Sequence, residues 1–265
     1  MSAAWIWSRI RRIGRSRYNL FREKLGYLDG GSDLFLETLA RAIIDRGGEI
    51  RLAHRVVRLH QTDGQVSGLE VRLPDGSQEV EAFRRVVSTM PLPLVPGVIP
   101  DLPADVLAAY KGQRSVAVVC VVARLRRSLT ENFWLNVNDP SMDIPGLVEY
   151  SNLRPLDQSV VYVPFYLPAD HPTYRDSDEQ FCDKVRRYLL AVNPQLVAAD
   201  ILEVRSSRYR YAQPVCGPEF LATLPPMQTA IGGLWVADTS HYYPEDRGIS
   251  ESVDLGRRLA RLATA

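Results

Sequence analysis

The feature that most constrains this chain is a strand, a polar loop and a helix in direct succession near its carboxyl end. The stretch GGLWVADTSHYYPEDRGISESVDLGRRLARL runs from Gly232 to Leu262. Apolar residues 234–237 predict a buried strand that ends at Asp238, and Ser250 predicts the cap of the following helix, with Gly248 giving backbone freedom before it. Free N–H groups at such a helix start suit a phosphate or an electron-rich heteroaromatic edge. The same succession also joins elements that bind nothing, and this stretch alone leaves both interpretations open.

Composition excludes several classes of function. The chain has 265 residues, enough for one large domain or two modest ones, and its 32 basic residues nearly balance 31 acidic ones. This balance gives no reason to expect a nucleic acid partner. Three distant cysteines without a CxxC pair and four scattered histidines predict neither disulfides nor a metal site, and they fit a cytoplasmic protein. No apolar run approaches the roughly 20 residues of a transmembrane helix.

Residues 1–24 form the one strongly basic segment. From Arg9 to Lys24 the chain carries seven basic residues and one acidic residue. Ile6, Ile10 and Ile13 recur at helical spacing, which predicts a basic amphipathic helix that is part of a substrate or cap region. Two alternatives remain for this helix: it lies on a membrane surface, or it packs on its own protein.

Residues 25–95 predict one piece of an α/β domain. Ser32 is the expected cap of a helix, and its inward face is expected to carry Leu36, Leu39, Ala40 and Ile43. Alternating strands follow around a hairpin turn at Asp63-Gly64 and around a second turn at Pro74-Asp75-Gly76. The segment ends in the apolar strand RVVSTMP, so a helix, a meander of strands and a further strand are predicted.

Prolines cluster between Pro91 and Pro103, which predicts a linker into another region. This region, residues 96–226, is β-rich and includes the valine-rich stretch from Ser115 to Leu125, a predicted buried strand, and a predicted helix over 178–192. Residues 227–265 then supply the last strand, loop and helix.

The order of these features resembles the flavin-containing amine oxidase superfamily, which includes protoporphyrinogen oxidases, phytoene desaturase-like enzymes and UDP-galactopyranose mutases. The features are GYLDGG before a helix, the strand of Val56, the meander, RVVSTMP, the β-rich insertion and GLWVAD before a loop and helix. The resemblance implies an α/β fold of mixed α+β character, in which a partial FAD-binding Rossmann-like domain holds an inserted substrate domain at 96–226. It implies an FAD-dependent oxidoreductase that acts on a small organic substrate.

The resemblance also implies where FAD would bind. The backbone of Val56 would meet the adenine, the ends of the two apolar strands would face the ribityl chain and pyrophosphate, and the start of the last helix would face the pyrimidine edge of the flavin. The residues concerned are Val56, Ser88, Thr89, Asp238, Thr239, Gly248, Ile249, Ser250 and Glu251. The family usually has Ala-Gly-Asp where this chain has Ala-Asp-Thr at 237–239, so the acid is displaced by one residue. The segment RYRYAQP makes Tyr211 and Gln213 the candidates for the substrate side, and no catalytic residue is identified.

One expected part of the family pattern is missing. The family begins with a βαβ unit that carries G-x-G-x-x-G and holds the FAD pyrophosphate. No two glycines of this chain lie two residues apart. Three explanations stay open: a truncated gene or a late start codon, a second chain that supplies the missing half, or a degenerate relative that has lost FAD. We therefore expect weak or absent FAD binding by the isolated chain. The alternative functions are a flavin-less interaction subunit without catalytic activity and a reduced-flavin nucleotide-sugar mutase.

Two further residues raise the question of reactivity. Cys216 lies just before the last strand, and without an identifiable neighbouring base it is expected to be a buried structural thiol rather than a nucleophile. His241 lies beside the candidate site, where it is expected to be an exposed loop residue rather than a donor to flavin or substrate.

Overall fold

The computed structural model describes residues 2–19, 22–23 and 26–265. Two compact units divide the chain. The split unit combines the chain up to Gln113 with Cys216–Ala265, and the inserted unit is Arg114–Val215. The inserted unit is therefore shorter than the insertion expected at 96–226, because residues 96–113 and 216–226 belong to the split unit.

Helices and strands are mixed along the chain, in agreement with the expected α/β fold of mixed α+β character. The first part of the split unit contains α1 (Ala3–Ser16), β1 (Arg17–Asn19), β2 (Arg22–Glu23), α2 (Gly31–Ile44), β3 (Arg55–Thr62), β4 (Gln65–Arg72), β5 (Gln78–Ala82), β6 (Val86–Ser88), α3 (Val95–Val98) and α4 (Ala104–Gly112). The inserted unit contains β7 (Ser115–Leu125), β8 (Trp134–Asn136), β9 (Gly146–Glu149), β10 (Ser159–Pro168), α5 (Asp178–Val192) and β11 (Ile201–Pro214). The chain ends with α6 (Phe220–Thr223), β12 (Leu234–Val236) and α7 (Ile249–Thr264).

The inserted unit is an antiparallel sheet in the order β11-β7-β10-β9-β8, with α5 packed on one face. The alternate residues of β7 that face α5 are fully buried, which confirms the buried strand expected at Ser115 to Leu125. Helix α5 spans the expected residues and begins with a capping box between Ser177 and Gln180. Its Phe181 meets Phe165 of β10 edge to face, with ring centroids 5.0 Å apart. This unit closes its core with its own residues.

The split unit contains the expected meander and a pair of parallel strands. Strands β3, β4 and β5 are antiparallel, and Asp63 and Gly64 both have positive φ angles, 50° and 73°, as a tight hairpin turn requires. Strand β12 pairs in parallel with β6. Leu234 and Val236 pack with the apolar cluster that includes Leu59 of the meander. Trp235, which faces the other way, and Ala237 just after the strand pack against Leu255 and Leu259 of α7.

Helix α2 confirms the expected element but corrects two details. Its N-cap is Gly30, in the left-handed region at φ 94°, and Ser32 lies inside the first turn without capping it. The face expected to point inward is exposed: Leu36, Leu39 and Ile43 are 58%, 49% and 40% accessible. Helical periodicity identifies an apolar face, but it does not require that the partner of that face lies in the same sequence.

Helix α1 ends at Ser16, not at residue 24, and residues 20, 21, 24 and 25 lie outside the described part of the chain. Its polar side contacts the carboxyl-terminal loop: the Ser8 hydroxyl donates to Pro244 O, and Arg9 pairs with Asp246. Its apolar side, with Trp7 and Ile10, is exposed. The helix therefore packs on its own protein through its polar face. None of the described helices combines the length and apolarity that crossing a membrane requires.

Candidate functional site

The parallel strand pair brings four of the candidate residues to one end of a sheet. Ser88 lies opposite Val236 in the register, and the N–H of Ala237 donates to Ser88 O at 3.0 Å. Thr89 continues from Ser88, as Asp238 and Thr239 continue from β12. Ligands of parallel sheets commonly bind at the carboxyl ends of strands. The candidates from two distant parts of the sequence thus share the edge where a ligand is expected.

Asp238 holds the turns around this edge. Its Oδ2 accepts the backbone N–H of Leu92 at 2.9 Å, and its Oδ1 accepts that of Ser240 at 2.8 Å. Both bonds join the end of β12 to neighbouring turns, so the displaced acid has a structural role in this chain. Burial raises the pKa of the Tyr110 hydroxyl to about 12, and the negative charge of Asp238 adds to this shift.

His241 is buried, so the expectation of an exposed loop histidine is wrong. Its Nε2 lies 3.1 Å from Pro225 O, and its Nδ1 accepts the backbone N–H of Asp238 at 3.3 Å. This pairing fits a neutral ring that carries its proton on Nε2. Burial lowers the pKa of the imidazole, which favours the same neutral form. His241 therefore supports the turn that follows β12.

The start of α7 offers backbone N–H groups, but not with the expected cap. The N-cap residue is Gly248, and no side chain caps the helix among the described residues, because Ser250 is already the second residue of the helix. Gly248 is extended at φ −165°, a conformation that any residue adopts, so its expected backbone freedom is not used. The first-turn amides, those of Ile249, Ser250 and Glu251, have no acceptor within the helix itself. Amides of this kind suit the carbonyl or anionic edge of a ligand.

A cleft of about 410 Å³ opens beside this helix start. Ser250 and Glu251 line it together with three arginines of α1, Arg11, Arg12 and Arg15. These arginines were visible in the sequence as a local excess of charge. Their place beside α7 depends on contacts with a loop more than 200 residues away, as between Arg9 and Asp246. Sequence patterns do not encode such contacts, so the arginines were not predicted as site residues.

A second cleft, of about 770 Å³, includes Val56 in its wall. Val56 is half-buried on β3, opposite Val71 of β4. The cleft wall also contains Met90, which follows Thr89 directly, and Leu94. Its mainly apolar wall suits a flat heteroaromatic ring. Val56 therefore lines the same cleft as Met90, which follows Ser88 and Thr89 in the sequence. The start of α7 lines the other cleft.

Tyr211 and Gln213 lie on β11 in the inserted unit, apart in sequence from every cofactor candidate. Between Tyr209 and Gln213 the pairing with β7 shifts by two residues, because Tyr209 lies opposite Val118 and Gln213 opposite Val116. Such bulges change the direction of side chains and often occur beside functional sites. The ring of Tyr211 contacts that of Tyr209 edge to face, with centroids 6.5 Å apart.

The Cys216 thiol is not activated as a nucleophile. Burial raises the pKa of the Cys216 thiol to about 11, so the thiol stays protonated at neutral pH. This agrees with a structural thiol. Within residues 2–19, 22–23 and 26–265, no three His, Cys, Asp or Glu side chains lie together in a way that could hold a metal ion.

The profile of the flavin containing amine oxidoreductases matches residues 9–262, nearly the whole chain. The chain belongs to this family. No curated protein matches it. The fold agrees with solved structures at low sequence identity. A Methanosarcina mazei oxidoreductase has 15% identity and a TM-score of 0.60, with 79% of this chain and 49% of that chain covered.

Two further structures show the same fold. A candidate protoporphyrinogen oxidase from Exiguobacterium sp. 255-15 has 19% identity and a TM-score of 0.59, over 80% of this chain and 47% of that chain. Putrescine oxidase bound to putrescine has 17% identity and a TM-score of 0.63, over 88% of this chain and 52% of that chain. The chain thus spans about half the length of the structures that it matches.

Proposed function

We propose that this chain is part of an FAD-dependent oxidoreductase that oxidises or reduces a small organic substrate. The observation that carries the proposal is the meeting of Ser88–Thr89 with Asp238–Thr239 at the carboxyl end of two parallel strands. The family to which the chain belongs is named for its flavin. FAD, when bound, supplies the acceptor or donor of hydride equivalents.

The described residues fit one part of such a cofactor. The apolar cleft at Val56 suits the adenine ring, and the strand ends at Ser88 and Asp238 supply polar groups for the ribityl chain and pyrophosphate. The uncapped first turn of α7, Ile249 to Glu251, presents N–H donors for the pyrimidine edge of the flavin. These donors match the carbonyl groups of that edge in chemical type.

The inserted unit is proposed to bind the substrate. Tyr211 and Gln213 lie at an irregularity of its sheet and supply a ring and an amide for orienting a small molecule. The protein's task in flavin chemistry is to place the reacting atom correctly and to exclude water. We assign no acid–base residue, because the described geometry identifies no group for that role.

The 265 residues contain no G-x-G-x-x-G, and the chain spans about half of each matched structure. The half that would hold the pyrophosphate, as part of a Rossmann-like FAD domain in the cytoplasm, is therefore proposed to lie outside these residues. A second chain and a longer form of the same polypeptide are both open as its source. Weak or absent FAD binding is expected for the isolated chain.

The absorbance spectrum of two preparations tests this function. The chain isolated after denaturation and refolding is expected to lack flavin bands near 375 and 450 nm. The protein purified gently from its source cells, together with the rest of its FAD domain, is expected to show them. A colourless complex that gains no thermal stability from added FAD would support the non-catalytic alternative, because a ligand that binds the native state raises its apparent stability.

A matched pair of proline variants tests the role of α7. Ile249→Pro removes the first amide of α7, and the extended Gly248 before it accepts a proline well. Asp178→Pro makes the same change at the first position of α5, after the extended Ser177. We expect the flavin content of the complex to fall with Ile249→Pro and to stay unchanged with Asp178→Pro. Equal flavin content in the two variants would show that the first turn of α7 does not contact the flavin.

A further inference from the structure

Helix α1 is strongly amphipathic, and its apolar side faces away from the protein. The apolar side consists of Ile6, Trp7, Ile10 and Ile13, which are between 44% and 63% exposed. At about 100° per residue, these side chains fall within roughly 120° of the helix circumference. Ser8, which lies roughly 160° from Ile10 around the axis, is 2% exposed and donates to Pro244 O. The side that a globular protein normally buries is therefore the exposed side of this helix.

Helix α7 shows the usual arrangement in the same unit. It is about as amphipathic as α1, and its Leu255 and Leu259 are buried in one cluster with Trp235 of β12. Helix α1 instead buries Ser8 and attaches to the loop after β12 through hydrogen bonds and ion pairs. The attachment of α1 therefore relies on its polar side.

Arginines border the apolar side of α1. The helix carries four arginines and no acidic residue: Arg9, Arg11, Arg12 and Arg15. Arg11 follows Trp7 by four residues, and Arg9 precedes Ile13 by four, so each lies beside an apolar residue on the helix surface. Two acids of the loop, Glu245 and Asp246, pair with three of the arginines. The side chains of Arg11 and Arg12 stay 47% and 55% exposed, so the rim of the apolar side keeps positive charge.

This combination fits the surface of an anionic membrane. Helices that lie in the membrane interface bury their apolar residues about 5–10 Å deep and keep basic side chains at the headgroups. Tryptophan is enriched at this depth, and arginine extends its apolar stem along the lipid while its guanidinium reaches the phosphates. Helix α1 has 14 residues and is thus about 21 Å long, too short for a hydrocarbon core of about 30 Å. With one side held by its own protein, it can contact a bilayer only by lying along the surface.

We propose that the apolar side of α1 docks the protein on an anionic lipid bilayer. Ile6, Trp7, Ile10 and Ile13 enter the boundary of the acyl chains, and the arginines contact the headgroup phosphates. The docking is reversible, because a single short helix buries a limited apolar area. Neither flavin nor substrate enters this argument, so its failure leaves the proposed function untouched.

Sedimentation with lipid vesicles tests the proposal. The protein, purified from its source cells with the rest of its FAD domain and freed of detergent, is mixed with vesicles of phosphatidylcholine alone or with about 30% phosphatidylglycerol. We expect binding to the anionic vesicles to be about tenfold tighter or more, and to weaken in high salt. Protein that stays in the supernatant with both kinds of vesicle would overturn the proposal, and it would indicate that another part of the protein or a second copy covers α1. Equal binding to both kinds would contradict the role of the arginines.

A matched pair of charge substitutions tests the apolar side itself. Ile10→Glu places a carboxylate in the proposed contact. Val197→Glu makes the same charge change in the inserted unit, at a side chain that is 57% exposed against 55% for Ile10. Both positions are on the surface, so both variants are expected to keep the far-UV spectrum of the parent. We expect Ile10→Glu to weaken binding to anionic vesicles about tenfold or more and Val197→Glu to leave it nearly unchanged. Equal binding by the two variants would overturn the proposal.

Arg15→Gln tests the charge at the rim of the apolar side. We expect about fivefold weaker binding to anionic vesicles, the usual effect of one basic residue near such a surface, and no change with neutral vesicles. An equal loss with both kinds of vesicle would contradict a contact between Arg15 and the headgroups.

Vesicles with brominated acyl chains locate the contact. Bromine quenches the fluorescence of a tryptophan that reaches the acyl-chain boundary. Trp7 is 63% exposed on α1, and Trp134 is 52% exposed in the inserted unit. Phenylalanine keeps an apolar ring at either position, so Trp7→Phe and Trp134→Phe are both expected to bind. We expect the quenching to fall with Trp7→Phe and to persist with Trp134→Phe. Undiminished quenching in Trp7→Phe would show that a different surface contacts the lipid.

Discussion

Helices α5 and α2 have nearly the same length and a similar amphipathic pattern, yet one is packed and the other is not. In α5, Phe181, Val185 and Leu189 are buried against the sheet of the inserted unit. In α2, Leu39 and Ile43, at comparable spacing, are exposed. The inserted unit contains both surfaces of its core, whereas none of the described residues of the split unit buries the apolar face of α2. The comparison shows that an amphipathic pattern predicts a helix with an apolar face, but it does not predict whether that face is buried within the same unit.

The largest contrast is expected from truncating one side chain in each helix. Phe181→Ala should lower the free energy of unfolding of the inserted unit by about 3–5 kcal/mol, because it leaves a cavity in a closed core. Leu39→Ala should change the stability of the isolated chain by less than about 0.5 kcal/mol, as at other exposed sites. Urea unfolding, followed by hydrogen exchange at peptides of β7 and α2, measures both. A large loss with Leu39→Ala would show that α2 is packed and would break the comparison.

A buried carboxylate in the inserted unit should give the next largest effect. Glu149 accepts the backbone N–H groups of Leu129 and Thr130, at 2.9 and 2.8 Å, and the Ser159 hydroxyl at 2.6 Å. Glu149→Ala leaves these buried donors without an acceptor, so we expect a loss of about 2–4 kcal/mol in urea unfolding. Glu149→Gln keeps one acceptor oxygen and should lose less. Equal losses for the two variants would show that packing, not hydrogen bonding, sets the effect.

Asp238 is the counterpart of this carboxylate in the split unit. Asp238→Ala removes the acceptor for Leu92 and Ser240, so we expect a loss of about 1–2 kcal/mol in the isolated chain. Asp238→Asn should retain part of that stability through its remaining oxygen. If Asp238→Ala left the free energy of unfolding unchanged, the hydrogen bonds of Asp238 would not be formed in the isolated chain. The end of β12 would then be as weakly packed as α2.

The smallest effect is expected from the pH dependence of His241. Its pKa in the folded chain is below the ordinary value near 6.5, because burial disfavours the charged ring. The unfolded chain therefore binds a proton more readily, and the stability that the neutral ring contributes is present above about pH 6.5 and is lost as the pH falls below it. We expect His241→Gln to show a shallower loss of thermal stability between about pH 7 and pH 5. If thermal stability depended on pH equally steeply in both proteins, the pKa of His241 would not differ between the folded and unfolded chain.

The sequence predicted local elements well because each has a short-range cause. The hairpin at Asp63-Gly64 follows from positive φ angles that these residues tolerate, and α5 follows from its capping box and apolar period. The order of features shared with the family also predicted that Ser88 and Asp238 lie at the ends of two strands on the cofactor side. The parallel pairing of β6 and β12 places these two strand ends side by side.

Long-range contacts explain what the sequence did not predict. The burial of His241 depends on the Pro225 carbonyl, 16 residues away, and the place of the α1 arginines depends on acids near residue 245. The exposure of α2 depends on which other elements pack against it, and none of the described elements buries Leu36, Leu39 or Ile43. No local pattern carries this information, because periodicity and capping describe one element at a time.

Amide hydrogen exchange of the isolated chain tests the central claim, that among the described residues of the split unit β6 is paired along one edge only and α2 is uncovered. We predict that the amides of α2 exchange faster than those of α5 by on the order of a hundredfold or more, because the opening of α2 disrupts little packing. Within β6, the amide of Val87 should exchange rapidly while that of Val86, bonded to Gly233, is protected. Equal protection of the two helices, or of the two neighbouring valines, would contradict the account.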